Sequence, residues 1–232
     1  MTTHRATLTT QIFYGSGAIS VGIKNNLLGT YLLIYYNRVL GLDASIVALA
    51  MAIALIVDAV SDPLVGIWSD RVRSRWGRRH PFMYAAIIPF AASYYMLLKD
   101  PGDISDQTLF IRLLVLLIIL RISMTFYEVP RGALGPELSK DYDQRNALSA
   151  WSMAFGWIGG AGIAFIANRY FLDSFVDLEG YQSLAFWGGL SIFVGGVISC
   201  LGTHQSIPQL HTPEPRSMNI LVLLREAKET LA

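Results

Sequence analysis

"IVDAVSDPLVGIWSDRVRSRWGRRHPF", residues 56–82, opens as an apolar helix carrying two aspartates, Asp58 and Asp62, and closes as a loop with five arginines between positions 71 and 79. Four residues apart, the carboxylates stack on one helix face, with the Ser61 hydroxyl beside them. What such charges do depends on the surrounding solvent, and the flanking sequence specifies a bilayer. Hydrophobic residues make up 53% of the 232-residue chain and charged ones only 15%, with a mean hydropathy of +0.44. A soluble domain carries about 25% charged residues.

Outward from this stretch, the windows 14–39, 44–68, 81–98, 109–129, 147–167 and 183–201 are mostly apolar. Each has about the length that crosses a bilayer core as a helix, roughly 18 to 25 residues. The chain is therefore expected to be an all-α integral membrane protein with six transmembrane helices. Turn signals at 41–45, 99–106 and 173–180 separate the spans on one side. Residues 1–203 form the expected bundle, and 204–232 a cytoplasmic linker with an amphipathic helix in "SMNILVLLREAKETLA", residues 217–232.

Basic residues set the orientation, because cytoplasmic loops accumulate Lys and Arg. Arg5, the five loop arginines, Arg131, Lys140, Arg145, Arg216, Arg225 and Lys228 fall on one side, against Arg38, Lys99, Arg112 and Arg169 on the other. Both termini are expected in the cytoplasm, with the chain multi-pass in the cell (inner) membrane. "MTTHR" has one Arg and no small-residue cleavage pattern follows a short apolar core, so the first helix is read as a retained span. Arginines confined to a tight loop between two spans argue against nucleic acid as a partner.

Cys200 is the single cysteine, which rules out a disulfide within one chain, and His4, His80, His204 and His211 lack ligand spacing. No Gly-rich phosphate loop or G-x-S-x-G elbow occurs. These features give no catalytic residues, no cofactor and no metal centre beyond a Na+ at the aspartates, and so no enzyme.

Function is argued from the buried charges. An ionisable group near mid-bilayer costs on the order of 2.5 to 3.5 kcal/mol, and such groups face a cavity, a partner or a transported ion. Two carboxylates a turn apart repel unless a cation or proton joins them, so Asp58 and Asp62 suit Na+ or H+. A structural role is the alternative, Asp62 accepting hydrogen bonds from helix termini or pairing with a loop arginine. In the fourth span Arg121, Thr125 and Glu128 stand at i, i+4 and i+7 on one face. Thr125 can add an oxygen to the cation, and Glu128 can accept from a polar solute or serve as a proton site. Otherwise Arg121 and Glu128 form an internal salt bridge. Lys24, with Asn25 and Asn26, breaks the first span; Lys24 can neutralise Asp58 as a switch or as a fixed pair. Gly156 and Gly160 at GxxxG spacing point to close helix packing in the fifth span.

"DAVSDPLVGIWSDRVRSRWGRRHPF", residues 58–82, resembles the signature of the glycoside-pentoside-hexuronide:cation symporters, the major facilitator branch that contains the bacterial melibiose carrier. "YEVPRGALGPELSKDYDQRNALSAW", residues 127–151, is similar to the same family's segment joining helices four and five, and residues 13–42 to its first helix. The resemblance implies the N-terminal bundle of that fold, a three-plus-three inverted repeat with a solute site near the midplane. It implies a coupling-cation site at Asp58, Ser61, Asp62 and Thr125. It also implies that the loop residues Asp70, Arg71, Arg75, Gly77, Arg78 and Arg79 lock and release the cytoplasmic side. Lys24, Asn25, Arg121 and Glu128 are the candidate solute contacts. The melibiose carrier's sugar-contacting acid of helix one aligns with Gly22, its helix-four acid with Glu128 and its sugar-stacking tryptophan with Gly132, so melibiose itself is not the expected solute.

The family's carriers have two six-helix bundles, and no seventh span follows residue 217. The chain is therefore read as the N-terminal half, completed by a C-terminal bundle absent here or by a second copy. The expected function is cation-coupled symport, with Na+ or H+, of a sugar, glycoside or related organic solute across a lipid bilayer. The alternatives are a lysolipid or amphiphile carrier of the same superfamily and a non-transporting membrane scaffold that binds a solute.

Overall fold

The computed structural model describes residues 6–139 and 141–207, and the regular elements among them are helices. Helices α1 (Leu8–Ser16) and α2 (Ala18–Asn26) join at Gly17, whose backbone stays right-handed helical at φ −63° and ψ −20°. A π turn at Leu27–Tyr31, the short α3 (Leu32–Ile34) and a second π turn at Tyr35–Val39 continue the run. Then follow α4 (Ala44–Arg71), α5 (His80–Leu98), α6 (Asp106–Leu138), α7 (Tyr142–Ile166) and α8 (Leu178–His204), with a π turn at Ala167–Phe171 after α7.

The last five helices are long and apolar enough to cross a membrane. The expected first span differs in form: it begins at Leu8 rather than near residue 14 and is segmented by its π turns. The fourth also runs past its expected end at residue 129, and α6 carries Pro130 and Pro136 inside the helix. Prolines are tolerated in membrane helices where neighbouring groups satisfy the freed carbonyls. The amphipathic helix expected at 217–232 lies outside the described residues, as do Arg5, Lys140, Arg216, Arg225 and Lys228.

Short polar side chains start α4, α6, α7 and α8. Asp43 accepts from the Ser45 amide at 2.7 Å, Asp141 from the Gln144 amide at 3.0 Å and Asp177 from the Gly180 amide at 3.0 Å. Bonds from the Ser45 hydroxyl and amide hold the Asp43 carboxyl below the usual range, and the Gly180 and Asp173 amides do the same for Asp177. A depressed carboxylate stabilises the fold above its unfolded range and loses that effect as pH falls through its folded value, so both caps weaken in acid.

The helices pack as a series, α4 on α6, α6 on α5, α5 on α8, α8 on α1 and α2, and these on α7. Helices α4 and α7 end the series. Their apolar windows are 22% and 17% buried, against 50%, 44% and 50% for α5, α6 and α8. Leu55, Ile56, Val60 and Leu64 on α4 and Met153, Trp157 and Phe165 on α7 are exposed and available to lipid or further protein.

Helix α2 meets α7 backbone to backbone. A Cβ on Gly22 would overlap the Gly156 carbonyl, one on Gly159 the Ile19 carbonyl, and one on Gly160 would sit 3.2 Å from the Gly22 carbonyl oxygen. The pair expected at Gly156 and Gly160 thus packs against Gly22. No side chain fits there in this packing.

Candidate functional site

Helix α4 brings Asp58, Ser61 and Asp62 against Thr125 of α6, and the Thr125 hydroxyl is the hub of the group. It donates to Asp62 Oδ1 at 2.8 Å, lies 3.3 Å from Asp58 Oδ1 and 3.1 Å from the Ser61 hydroxyl. Three oxygens thus gather within 3.3 Å of a fourth, two of them from carboxylates. Oxygen ligands of this kind suit a hard monovalent or divalent cation better than a soft one. Pro63, just after Asp62, has no N–H for the Ala59 carbonyl one turn back, which leaves a further backbone oxygen without its helical bond near the pair.

The charge pairing is crossed relative to the sequence expectation. Arg121 Nη1 donates to Asp58 Oδ2 at 2.7 Å, so Arg121 pairs with Asp58 and not with Glu128. Lys24, buried on α2, lies 3.6 Å from Glu128 Oε2 and pairs there and not with Asp58.

Two hollows meet at Glu128. One, of about 460 Å3, is lined by Lys24, Asp58, Asp62, Arg121, Glu128 and Gly132 among others. The second, of about 760 Å3, runs between α2, α6 and α7 and includes Asn25, Asn26, Glu128, Arg131, Ser152 and Trp157. Asp58, Asp62, Lys24, Arg121 and Glu128 line the smaller hollow, and Asn25 lines the larger one, which shares Glu128 with it; Ser61 and Thr125 are not among the lining residues of either.

Arg131, which the sequence places on the basic-rich side, is 5% exposed on α6 and lines the larger hollow. Its Nη2 donates to the Tyr14 carbonyl at 3.0 Å and to the Ser152 hydroxyl at 2.7 Å, and the guanidinium lies 4.7 Å from the Tyr14 ring centroid. Its i+3 spacing from Glu128 on one helix puts both on one face.

The arginine-rich loop is tied to the end of α6 by a residue that the sequence reading omitted, Glu137. Arg78 Nη2 reaches Glu137 Oε1 at 2.8 Å and Arg79 Nε reaches it at 3.1 Å. Arg79, 6% exposed, also donates to Ser69 Oγ at 2.7 Å and pairs with Asp70. Gly77 turns the loop at φ +76°, a conformation that disfavours other residues. Arg71 and Arg75 are not brought into this cluster: Arg71 sits in the last turn of α4, and Arg75 lies 5.7 Å from the Trp76 ring centroid.

Arg79→Met removes three of these bonds while keeping the side-chain length. It is expected to lower the unfolding free energy of the solubilised protein by about 3 kcal/mol, the lower end of what breaking a buried pair costs, since Arg78 still holds Glu137. Denaturant unfolding checks this, and a loss under about 1 kcal/mol would mean that the cluster behaves as a surface pair.

A family model described as "MFS/sugar transport protein" matches residues 13–231. Among curated proteins, an uncharacterized symporter of Synechocystis, sll1374, is 36% identical over 163 residues, which cover 68% of this chain and 30% of the relative. The putative glycoside/cation symporter YagG of Escherichia coli is 32% identical over 193 residues, 83% of this chain and 41% of the relative. The isoprimeverose transporter of Lactiplantibacillus pentosus is 28% identical over 154 residues, 66% of this chain and 32% of the relative. The chain thus matches between 30% and 41% of the length of these relatives. With its apolar helices, polar hub and these matches, the chain is a multi-pass membrane protein that belongs to the MFS/sugar transport protein family.

Proposed function

We propose that the protein acts in cation-coupled symport of a sugar, glycoside or related organic solute. The observation that carries this reading is the Thr125 hydroxyl at 2.8 Å from Asp62 and 3.3 Å from Asp58, a cluster of oxygens from two helices inside an apolar bundle. In this proposal Na+ or H+ binds at Asp58, Ser61, Asp62 and Thr125. The solute binds in the adjoining hollows, where Lys24, Asn25, Arg121 and Glu128 supply donors and acceptors and Trp157 and Tyr14 supply apolar faces for a sugar ring.

The physical basis of coupling is differential binding. A cation joins the carboxylates of Asp58 and Asp62, so a conformation that holds these groups together gains further stability when loaded. The bundle supplies one wall of a cavity that opens alternately to the two membrane faces. The sparsely buried α4 and α7 are where a second bundle, in the same protein or in a second copy, would complete it. The cluster of Asp70, Arg78, Arg79 and Glu137 then braces the cytoplasmic end in one state and opens in the other. The inner membrane is the expected location.

Uptake of labelled glycosides into membrane vesicles under an imposed Na+ or proton gradient tests the reading. Accumulation above equilibrium with one of the two ions, unaffected by excess lysolipid, is the expected result. Displacement of the sugar by lysolipids would favour an amphiphile carrier. Solute binding without accumulation or counterflow would make the protein a non-transporting scaffold.

A further inference from the structure

Arg121 precedes Thr125 by one turn of α6, so both project toward α4. It places a positive charge against the carboxylate assigned to the coupling cation, with Nη1 at 2.7 Å from Asp58 Oδ2. The two side chains are only 14% and 12% exposed, so neither charge can exchange its partner for bulk water at low cost. Asp58 thus already holds a cation, one supplied by the chain.

Arg121 is held there but not locked. Its contact with Asp58 is a single bond from Nη1, where a bidentate fork would use two donors. Its Nε is buried with no hydrogen-bond partner among the described residues. The hollow of about 460 Å3 beside it, reaching Glu128 and Gly132, gives the guanidinium a place to turn. Glu128 does not compete strongly for it, since Lys24 stands at 3.6 Å from that carboxylate.

We propose that Arg121 is a tethered competitor for the coupling cation: it neutralises Asp58 before the cation binds, and a cation seated among Asp58, Asp62, Thr125 and Ser61 releases it into the hollow. This rests on the cation-site reading above. Loading becomes the exchange of one positive charge for another, so the buried aspartates are never both bare. Arg121 also sets cation affinity, because every bound ion must displace it. Once released, its donors face the solute hollow and meet the acceptors of an incoming sugar, so that cation binding prepares the solute site.

The test labels the protein in proteoliposomes and reads each residue by mass spectrometry, with phenylglyoxal for Arg121 and a carbodiimide for Asp58 and Asp62. With Na+ as the probe, the concentration that protects the aspartates is expected to raise Arg121 labelling several-fold, and Asp58→Asn to raise it without Na+. Arg121→Gln is expected to lower the half-protecting Na+ concentration at least tenfold, and Arg121→Lys to leave it near the original value. The other charged groups facing Asp58, which are Asp62 on α4, Glu128 on α6 and Lys24 on α2, stay the same in Arg121→Gln. Arg121 labelling that stays flat while Na+ protects the aspartates overturns the proposal, as do unchanged midpoints in Arg121→Gln; either result leaves the cation site standing. An absence of any effect of Na+ or protons on the aspartates overturns both.

Discussion

Asp58→Asn is expected to reduce cation-driven solute accumulation to simple equilibration, while the protein still inserts in the membrane. Asparagine matches the shape of aspartate but not its charge, so the cluster around Thr125 keeps its hydrogen bonds and loses its hold on a cation. The same change strips Arg121 of its partner, and an uncompensated buried charge costs about 3 to 5 kcal/mol. Transport loss alone is therefore ambiguous between a missing site and a weakened fold. The double variant Asp58→Asn, Arg121→Gln separates them, because neutralising both partners removes the orphaned charge. It is expected to recover thermal stability and to stay uncoupled. Full accumulation in Asp58→Asn would sink the site assignment, and recovery of coupling in the double variant would reduce the pair to a structural brace.

Gly22→Val is expected to be the most disruptive single change in the packing. Helix α2 approaches α7 so closely that even one Cβ at Gly22 overlaps the Gly156 carbonyl, and no flexible side chain is there to move aside. The cost is placed at the top of the overpacking range, about 3 kcal/mol or more. It would appear as a lower melting temperature and a loss of monodisperse protein after solubilisation. Gly162→Ala serves as the control, since nothing lies within 4 Å of a Cβ at that position. Equal stability of Gly22→Val and Gly162→Ala would mean that α2 and α7 are not packed as described.

The spans on α4, α5, α7 and α8 were legible because their apolar runs match the bilayer thickness and short turn signals bound them. The first was less so. Its π turns at Leu27–Tyr31 and Tyr35–Val39 shift the side-chain register, which no window average detects. The end of α6 was placed at residue 129 because Pro130 reads as a boundary, whereas the helix runs to Leu138. Glu137 lies in that extension, so the acceptor shared by Arg78 and Arg79 was not legible in the sequence.

At the candidate site, i, i+4 spacing put Asp58 and Asp62 on one face whatever the tertiary fold, and the structure brings Thr125 of α6 against them. The pairing of the charges was not legible. Arg121 and Glu128 are seven residues apart, about 10.5 Å along a helix axis at 1.5 Å per residue, which favours partners on neighbouring helices. Which partners those are depends on how α2, α4 and α6 slide past one another, and one sequence holds no record of that depth.

The five ionisable groups around the smaller hollow have an electrical consequence. Lys24 and Arg121 face Asp58, Asp62 and Glu128. With all five ionised, the wall carries a single surplus negative charge. Under the proposed coupling, one monovalent ion would make this wall neutral and a second would overshoot, which favours one ion per cycle. Moving a unit charge through the membrane potential is worth about 2.3 kcal/mol per 100 mV. If the proposed cycle holds, the voltage would do little work on the loaded wall and most on the unloaded one, and the voltage-sensitive step would fall in the return.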